Sequence, residues 1–488
     1  MRLVAGVDSS TQACCIVLRD LDGGRIVASA EAPHPPAMPP ASEQDPAAWW
    51  QALQSAARQL DLRDVVAVSV DGQGHGLVAL DRNGEVIRPA KLWNDTTAST
   101  EARDLVELLG PEAWSRRTGI VPRSAITIAK LLWLKRHEAR NFDRLATLLL
   151  PPSYLTYRLT GSYGTDRSEG SGTGYMDIAS SAWDIGILDL VDPNVDWRPL
   201  LPHIAGPIEA VGRVTASAAA ATGFPEGAVV GPGANDQPVS ALALGVIGDE
   251  VIVSLGTSGT VSARSAVPLV DPSGAVQCVA DAAGAFRPLV CTLNATRVSD
   301  AFARMLGVGF DELARLALAA PSDASRPLLL PYLDGERTPD RPHARGVLVG
   351  LGADASREQL ARAGFEGVIC GLLEGLDALR AVGTPAAGRM IVTGGGASSM
   401  AYRQLLADLA ERSVHVADLA ETSASGVAVQ AAAVLLGQPI EDVAAAWAPT
   451  LEVAAEPRPG QEVGEVRARY RHLASLRELD PDHGGGLH

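Results

Sequence analysis

Leu3-Val4-Ala5-Gly6-Val7-Asp8-Ser9-Ser10-Thr11, followed by Cys14-Cys15-Ile16-Val17-Leu18, is the stretch from which the rest of the chain is best read. Residues 3–7 form a continuous apolar run of strand length. Asp8-Ser9-Ser10-Thr11 favours a turn, because short polar side chains bond to nearby backbone. Residues 14–18 resume the apolar character, giving strand, turn, strand. The same pattern returns at about half the chain, in Val251-Ile252-Val253-Ser254-Leu255-Gly256-Thr257-Ser258-Gly259-Thr260-Val261. Aligning Val7-Asp8-Ser9-Ser10-Thr11 with Val253-Ser254-Leu255-Gly256-Thr257 gives a faint internal repeat. It places a boundary near residue 245, hence domains 1–245 and 246–488. The length of 488 residues supports two domains independently.

Outward from these runs, residues 45–50 read as the capped start of a helix with Pro46 near its first position. A strand at 65–70 runs into Asp71-Gly72-Gln73-Gly74-His75-Gly76, and helices are expected at 101–109 and 128–137. The short apolar run 228–230 precedes Gly231-Pro232-Gly233-Ala234-Asn235-Asp236. Apolar residues at helical spacing, among them Leu360, Val368, Ile369, Leu372, Leu376 and Leu379, predict a long helix over 357–381. A strand at 389–392, the turn Gly394-Gly395-Gly396-Ala397-Ser398-Ser399 and a helix over 400–411 follow. Strand, Gly-rich turn, helix presents free backbone amides to an anion. Strands alternating with helices in both halves predict an α/β fold.

Hydrophobic residues make up 47% and charged residues 20%, the composition of a folded globular chain. The net charge is −16, and the only lysines are Lys91, Lys130 and Lys135, which argues against nucleic acid as a partner. Acidity does not exclude ATP, since backbone amides and a metal ion neutralise phosphate locally. The five cysteines form no CxxC pair, so reduced thiols in a cytoplasm are expected rather than zinc or a disulfide framework. The first apolar run is too short for a signal peptide, and no apolar run of about 18 residues predicts a membrane span. Residues 482–488 are Gly-rich and are expected to fray.

The sequence has no P-loop motif and no Gly-x-Ser-x-Gly, and Gly170-Ser171-Gly172-Thr173-Gly174 lacks the preceding apolar strand of a dinucleotide fingerprint. The turns ending in Thr11 and Thr257 can grip phosphate through successive amides and a hydroxyl; two ordinary hairpins are the alternative. Asp8 ends a buried strand, where a carboxylate needs a partner such as hydrated Mg²⁺, or else simply caps a turn. Asp236 has the chemistry of a base that accepts the proton of an attacking hydroxyl, and an ordinary turn Asp is again the alternative. Gly74, His75, Trp93, Asn94 and Asp95 suit a sugar, which is held by planar amides, carboxylates and aromatic faces.

Seven of these motifs, in order, resemble the FGGY carbohydrate kinases, and within them the actinobacterial xylulokinases. They are Gly6-Val7-Asp8-Ser9-Ser10-Thr11, Glu43-Gln44-Asp45-Pro46 with Trp49-Trp50, Gly72-Gln73-Gly74-His75-Gly76, Leu92-Trp93-Asn94-Asp95, Ser254-Leu255-Gly256-Thr257-Ser258-Gly259, Leu330-Pro331-Tyr332-Leu333-Asp334-Gly335-Glu336-Arg337-Thr338-Pro339 and Gly394-Gly395-Gly396-Ala397. The resemblance covers essentially the whole chain. It implies two actin-like, hexokinase-like (ribonuclease H-like) domains around a catalytic cleft, with ATP and Mg²⁺. It implies Asp236 as catalytic base, with Asp8 sharing the catalytic and metal-holding role. Ser10, Thr11, Gly256, Thr257, Gly395, Gly396 and Ala397 would lie beside the nucleotide. Gly74, His75, Trp93, Asn94, Asp95, Asp236 and Gln237 would face the sugar. The implied acceptor is D-xylulose; another ketose or a polyol, such as ribulose, is the alternative, and an actin-like ATPase without a sugar is a reading from a different class. The chain departs from the xylulokinase pattern at Asp71, Gly74 and Gln237, and Gly74 is expected to enlarge the sugar pocket. Homodimers are common in that family, but no interface can be read from these residues.

Overall fold

In the computed structural model, which describes residues 1–321 and 326–476, the opening run is the seven-residue strand Leu3–Ser9. The Gly-rich segment 482–488 lies outside the described residues. Asp8 and Ser9 remain in the strand, paired with Cys15 and Cys14 on one side and with Asp71 and Gly72 on the other. Ladders on both flanks carry the strand through residues whose side chains suit a turn, so the turn itself shrinks to residues 10–12.

The chain divides into two compact units. The first comprises Met1–Ile247, Ala266–Arg287 and Leu419–Pro449; the second comprises Gly248–Ser265, Pro288–Asp418 and the chain from Thr450 onward. In the first unit, Leu3–Ser9 pairs antiparallel with Ala13–Asp20, which pairs antiparallel with Ile26–Pro33. On its other edge Leu3–Ser9 runs parallel to Val65–Gly72, which in turn is parallel to Val229–Val230 and Ala234–Asn235. The second unit repeats this order. Val251–Leu255 is antiparallel to Gly259–Ala263, which is antiparallel to Phe286–Thr292. Val251–Leu255 is also parallel to Met390–Thr393, and Met390–Thr393 to Val414–Ala417.

Side chains alternate across a strand, so Leu3–Ser9 serves two cores in the first unit. Leu3, Ala5 and Val7 pack with Trp49, Leu53, Tyr154 and Leu155 from the helices Pro46–Ala57 and Pro151–Thr160. Asp45 caps the first of these, accepting from the Ala47 amide at 2.9 Å. Val4 faces the opposite side, with Val239 and Leu242 of the helix Asp236–Ala243 and Val427 and Ala428 of the helix Thr422–Leu436. At Gly6 that last helix comes so close that a Cβ would overlap the Ala424 carbonyl.

In the second unit the predicted long helix is Arg357–Ala381, opened by a capping box between Ser356 and Gln359. A buried ion cluster anchors it: Glu366 accepts from Arg326 at 2.7 and 2.8 Å and from Arg362 at 2.7 Å. Among the described residues no helix is long and apolar enough to cross a membrane.

Candidate active site

Parallel strands in register end side by side. Asp8 stands opposite Asp71, and Asp71 opposite Ala234, two residues before Asp236. The first unit therefore gathers acids at one end of its sheet. Burial is the largest cause of raised carboxyl pKa values here. It pushes Asp8 up to about 7, with the charges of Asp236 and Glu421 adding to the effect. Asp71 is driven well above the usual carboxylate range by burial and then by Asp8, Asp236 and Glu169. Asp236 is raised by burial, opposed by hydrogen bonds from Gln237, whose amide donates to its Oδ1 at 2.8 Å. Asp8 Oδ1 and Asp71 Oδ2 are buried without a hydrogen-bond partner.

Asp236 opens the helix Asp236–Ala243, with Asn235 as its N-cap. The loop before it is fixed from the Thr422–Leu436 helix: Gln430 accepts from the Gly233 amide at 3.0 Å and donates to the Gly233 carbonyl at 2.7 Å. Ser240 and Ser423 join the two helices at 3.2 Å. One helix thus braces both acidic positions, touching the Asp8 strand at Gly6 and the Asp236 helix at Gly426.

His75 has φ +61°, an uncommon backbone conformation for a non-glycine residue. Three contacts hold it there. Lys130 Nζ and Thr127 Oγ1 donate to its carbonyl at 2.6 and 3.1 Å, and its Nδ1 lies 2.7 Å from the Gly172 carbonyl. The room expected beside Gly74 is taken by the Asn235 carboxamide, which a Cβ at 74 would overlap. Trp93 donates from its indole to Thr11 Oγ1 at 2.9 Å, so the expected sugar-side tryptophan and phosphate-side threonine meet directly. Ser10 is exposed, with its hydroxyl 3.3 Å from the Ala13 carbonyl. Gln44 of the Glu43-Gln44-Asp45-Pro46 motif donates to the Thr11 carbonyl at 3.2 Å and accepts from Trp49 at 2.7 Å. Asn94 is half-buried. Asp95 is wholly buried, held by Lys91 at 3.3 Å, the Thr97 amide at 2.9 Å and the Thr97 hydroxyl at 2.5 Å.

In the second unit the two remaining turns abut. Gly394, at φ +80°, lies against the Leu255 backbone, and Gly396 against Leu255 and Thr296. Gly256 and Thr257 are tied through their carbonyls to the amides of Thr296 at 3.0 Å and Ala295 at 3.2 Å. Gly256, Thr257, Gly395, Gly396 and Ala397 thus cluster where Val251–Leu255 and Met390–Thr393 end, with Thr257 and Gly395 exposed.

Residues 3–243 match the N-terminal domain, and residues 251–435 the C-terminal domain, of the FGGY family of carbohydrate kinases. The chain belongs to this family. The FGGY kinase is 41% identical to a xylulose kinase of Streptomyces coelicolor over 91% of its own length and 90% of that protein's. It is 35% identical to a xylulose kinase of Escherichia coli over 83% of its length and 84% of that protein's. The crystal structure of xylulose kinase from Bifidobacterium adolescentis superposes with a TM-score of 0.86 at 36% identity, covering 96% of this kinase and 99% of that chain. The fold is the actin-like, ribonuclease H-like one, and the protein is a sugar kinase, which removes the reading as an ATPase without a sugar.

The site contains residues that sequence reasoning did not single out as functional: Glu169, Thr127, Lys130 and the Thr422–Leu436 helix. For Lys130 a signal was present. In a chain with three lysines, Lys91 and Lys130 are buried and hold site residues.

Proposed function

We propose that this kinase transfers the γ-phosphoryl group of ATP to the terminal hydroxyl of D-xylulose, with Asp236 as the base. The observation that carries this reading is the position of Asp236. It sits at a helix start, immediately after the Asn235 carboxamide that lies against Gly74, next in the chain to the fixed His75. Burial raises its carboxyl, which makes it a stronger base than a solvated aspartate. Asp236 takes the proton of the acceptor hydroxyl as that oxygen bonds to the γ-phosphorus; the bond from phosphorus to the bridging oxygen breaks, and ADP departs. His75, Trp93 and Asn94 orient the sugar. Asp95, with its oxygens taken by Lys91 and Thr97, ties together residues 91–97, the turn that carries Trp93 and Asn94. In the first unit Ser10 and Thr11 offer hydroxyls to phosphate, and in the second unit the turns at Gly256-Thr257 and Gly395-Gly396-Ala397 offer amides and a hydroxyl to phosphate.

The acids also suit Mg²⁺. Asp8 has an unpartnered buried oxygen in a field of like charge, which a divalent cation relieves. Among the described residues no three acid, His or Cys side chains form a chelating group. Mg²⁺ does not require one, since it takes one or two carboxylates together with waters and phosphate oxygens. Asp8, with Asp236 beside it, would hold the ion, which when bound neutralises charge on the phosphates. None of the five cysteines forms a disulfide, which supports a cytoplasmic location.

Coupled ADP-release assays with D-xylulose, D-ribulose, D-xylose, glycerol and D-gluconate test this reading. D-xylulose should give the highest kcat/KM, and Asp236→Asn should lose at least about 10³-fold in kcat while still binding ATP. Substantial turnover by Asp236→Asn, or a clear preference for a polyol or an acid, overturns it.

A further inference from the structure

Glu169 is buried, yet it is poorly suited to being mere structural glue. Its Oε1 accepts from Asn235 Nδ2 at 3.0 Å, while its Oε2 is buried without a hydrogen-bond partner. A buried carboxylate with one oxygen unsatisfied is costly, and an apolar residue of similar size would stabilise the core better. Its neighbours explain why it stands there. The segment 166–172 holds both sides of the expected sugar site. Ser168 Oγ accepts from the Asn235 amide at 3.0 Å and is itself tied to Asp166 at 2.6 Å, while the Gly172 carbonyl holds the His75 ring at 2.7 Å. Between these anchors, Glu169 draws the Asn235 carboxamide into the space that a side chain at position 74 would otherwise fill; a Cβ there would also lie 3.8 Å from Glu169 Oε1.

Burial, then the charge of Asp166, drives the Glu169 carboxyl well above the usual carboxylate range, but its Oε1 accepts in either protonation state and so orients the amide one way: Nδ2 towards Glu169, Oδ1 towards the Asp236-Gln237 turn. Asn235 therefore has a position and an orientation set by Glu169, and it is the residue next to the proposed base.

We propose that Glu169 is a positioning residue that sets acceptor specificity: through Asn235 it fills the space beside Gly74 and fixes the Asp236 turn against the sugar. This rests on the reading of Asp236 as base and of Gly74 and His75 as sugar-facing. Glycine at 74 and the acid at 169 then form one device, in which the amide drawn in by the acid occupies the room the glycine leaves.

The test compares wild type, Glu169→Ala, Glu169→Gln, Gly74→Ala and the Glu169→Ala/Gly74→Ala double variant on D-xylulose and D-ribulose. Glu169→Ala should lower kcat/KM for D-xylulose about 10- to 100-fold, chiefly through the sugar KM, and leave the ATP KM within about twofold. The D-xylulose to D-ribulose ratio should change at least about fivefold, Glu169→Gln should recover most of it, and the double variant should be non-additive. A Glu169→Ala protein that melts lower but keeps the sugar KM and the sugar ratio overturns the proposal. Should Glu169→Ala fail to fold, Gly74→Ala and Glu169→Gln decide: a shifted ratio in the first with near-normal behaviour in the second supports it, and an unshifted ratio in Gly74→Ala overturns it. Loss of the Asp236 requirement removes this inference together with the reading beneath it, whereas an intact Asp236 requirement with an unchanged ratio removes this inference alone.

Discussion

At the scale of single residues, Asp8 shows how a sheet end that gathers buried acids differs from an ordinary one. Its carboxyl titrates near 7 rather than at the usual 3.8, because burial and the charges of Asp236 and Glu421 disfavour ionisation. Between about pH 4 and pH 7 the folded chain holds a proton that the unfolded chain has released, so stability falls as pH rises through that window and levels off above it. Asp8→Asn removes the titration. Without Mg²⁺ the variant should melt higher than wild type at pH 8, by several degrees, and at nearly the same temperature at pH 4. It should also have lost turnover. Thermal melts at the two pH values check this; an equal difference at both would show that Asp8 carries no such penalty. The acids at 8 and 236 were legible as candidates because a carboxylate at a strand end or in a glycine loop needs a reason. Glu169 was not, since nothing in the run Ser168-Glu169-Gly170-Ser171 says that it meets Asn235 across 66 residues of chain.

At the scale of elements, legibility follows periodicity. The helix Arg357–Ala381 is plain in the sequence because its apolar residues recur at helical spacing with polar ones between. The helix Thr422–Leu436 is not, because Val, Ala and Gly surround it and ten of its residues are buried, leaving no polar face to set a phase. Yet this is the element that positions the acids. Its small residues let backbones meet: a Cβ at Gly426 would overlap the Val239 carbonyl within the Asp236 helix. Two effects compete in Gly426→Ala. Helix propensity favours alanine by about 1 kcal/mol. The steric overlap is with backbone, which cannot rotate away, and forced overpacking typically costs about 1–3 kcal/mol or more. The overlap should win, with a net loss of about 2 kcal/mol in urea unfolding and a fall in kcat from displacement of Asp236. A stabilised variant would mean that the two helices separate without consequence.

At the scale of the molecule, the repeat seen between residues 7–11 and 253–257 proves to be a repeat of sheet order, three antiparallel strands followed by parallel ones in each unit. What the repeat does not reveal is that the first unit is not a continuous stretch of chain. Local patterning cannot show it, because the later segments 266–287 and 419–449 enter through tertiary packing alone. One core of this unit, on the face of Val4, Ala67 and Ala234, draws most of its residues from those later segments, including Val427, Ala428, Ala431, Ile440, Val443 and Trp447. Arg19, buried in the second strand, donates to the carbonyls of Ser425 at 3.1 Å and Trp447 at 3.3 Å. A fragment ending at Ile247 would keep the core around Trp49 and Leu53 but expose the opposite sheet face and leave Arg19 without these partners. Each apolar side chain lost from that face forfeits roughly 1.5–3 kcal/mol, against a total stability of about 5–15 kcal/mol for a domain. The fragment should therefore show no cooperative melt and should bind a hydrophobic dye, whereas the full chain melts cooperatively. A sharp thermal transition with native near-ultraviolet dichroism in the fragment would mean that the helix Thr422–Leu436 is dispensable to the fold it braces.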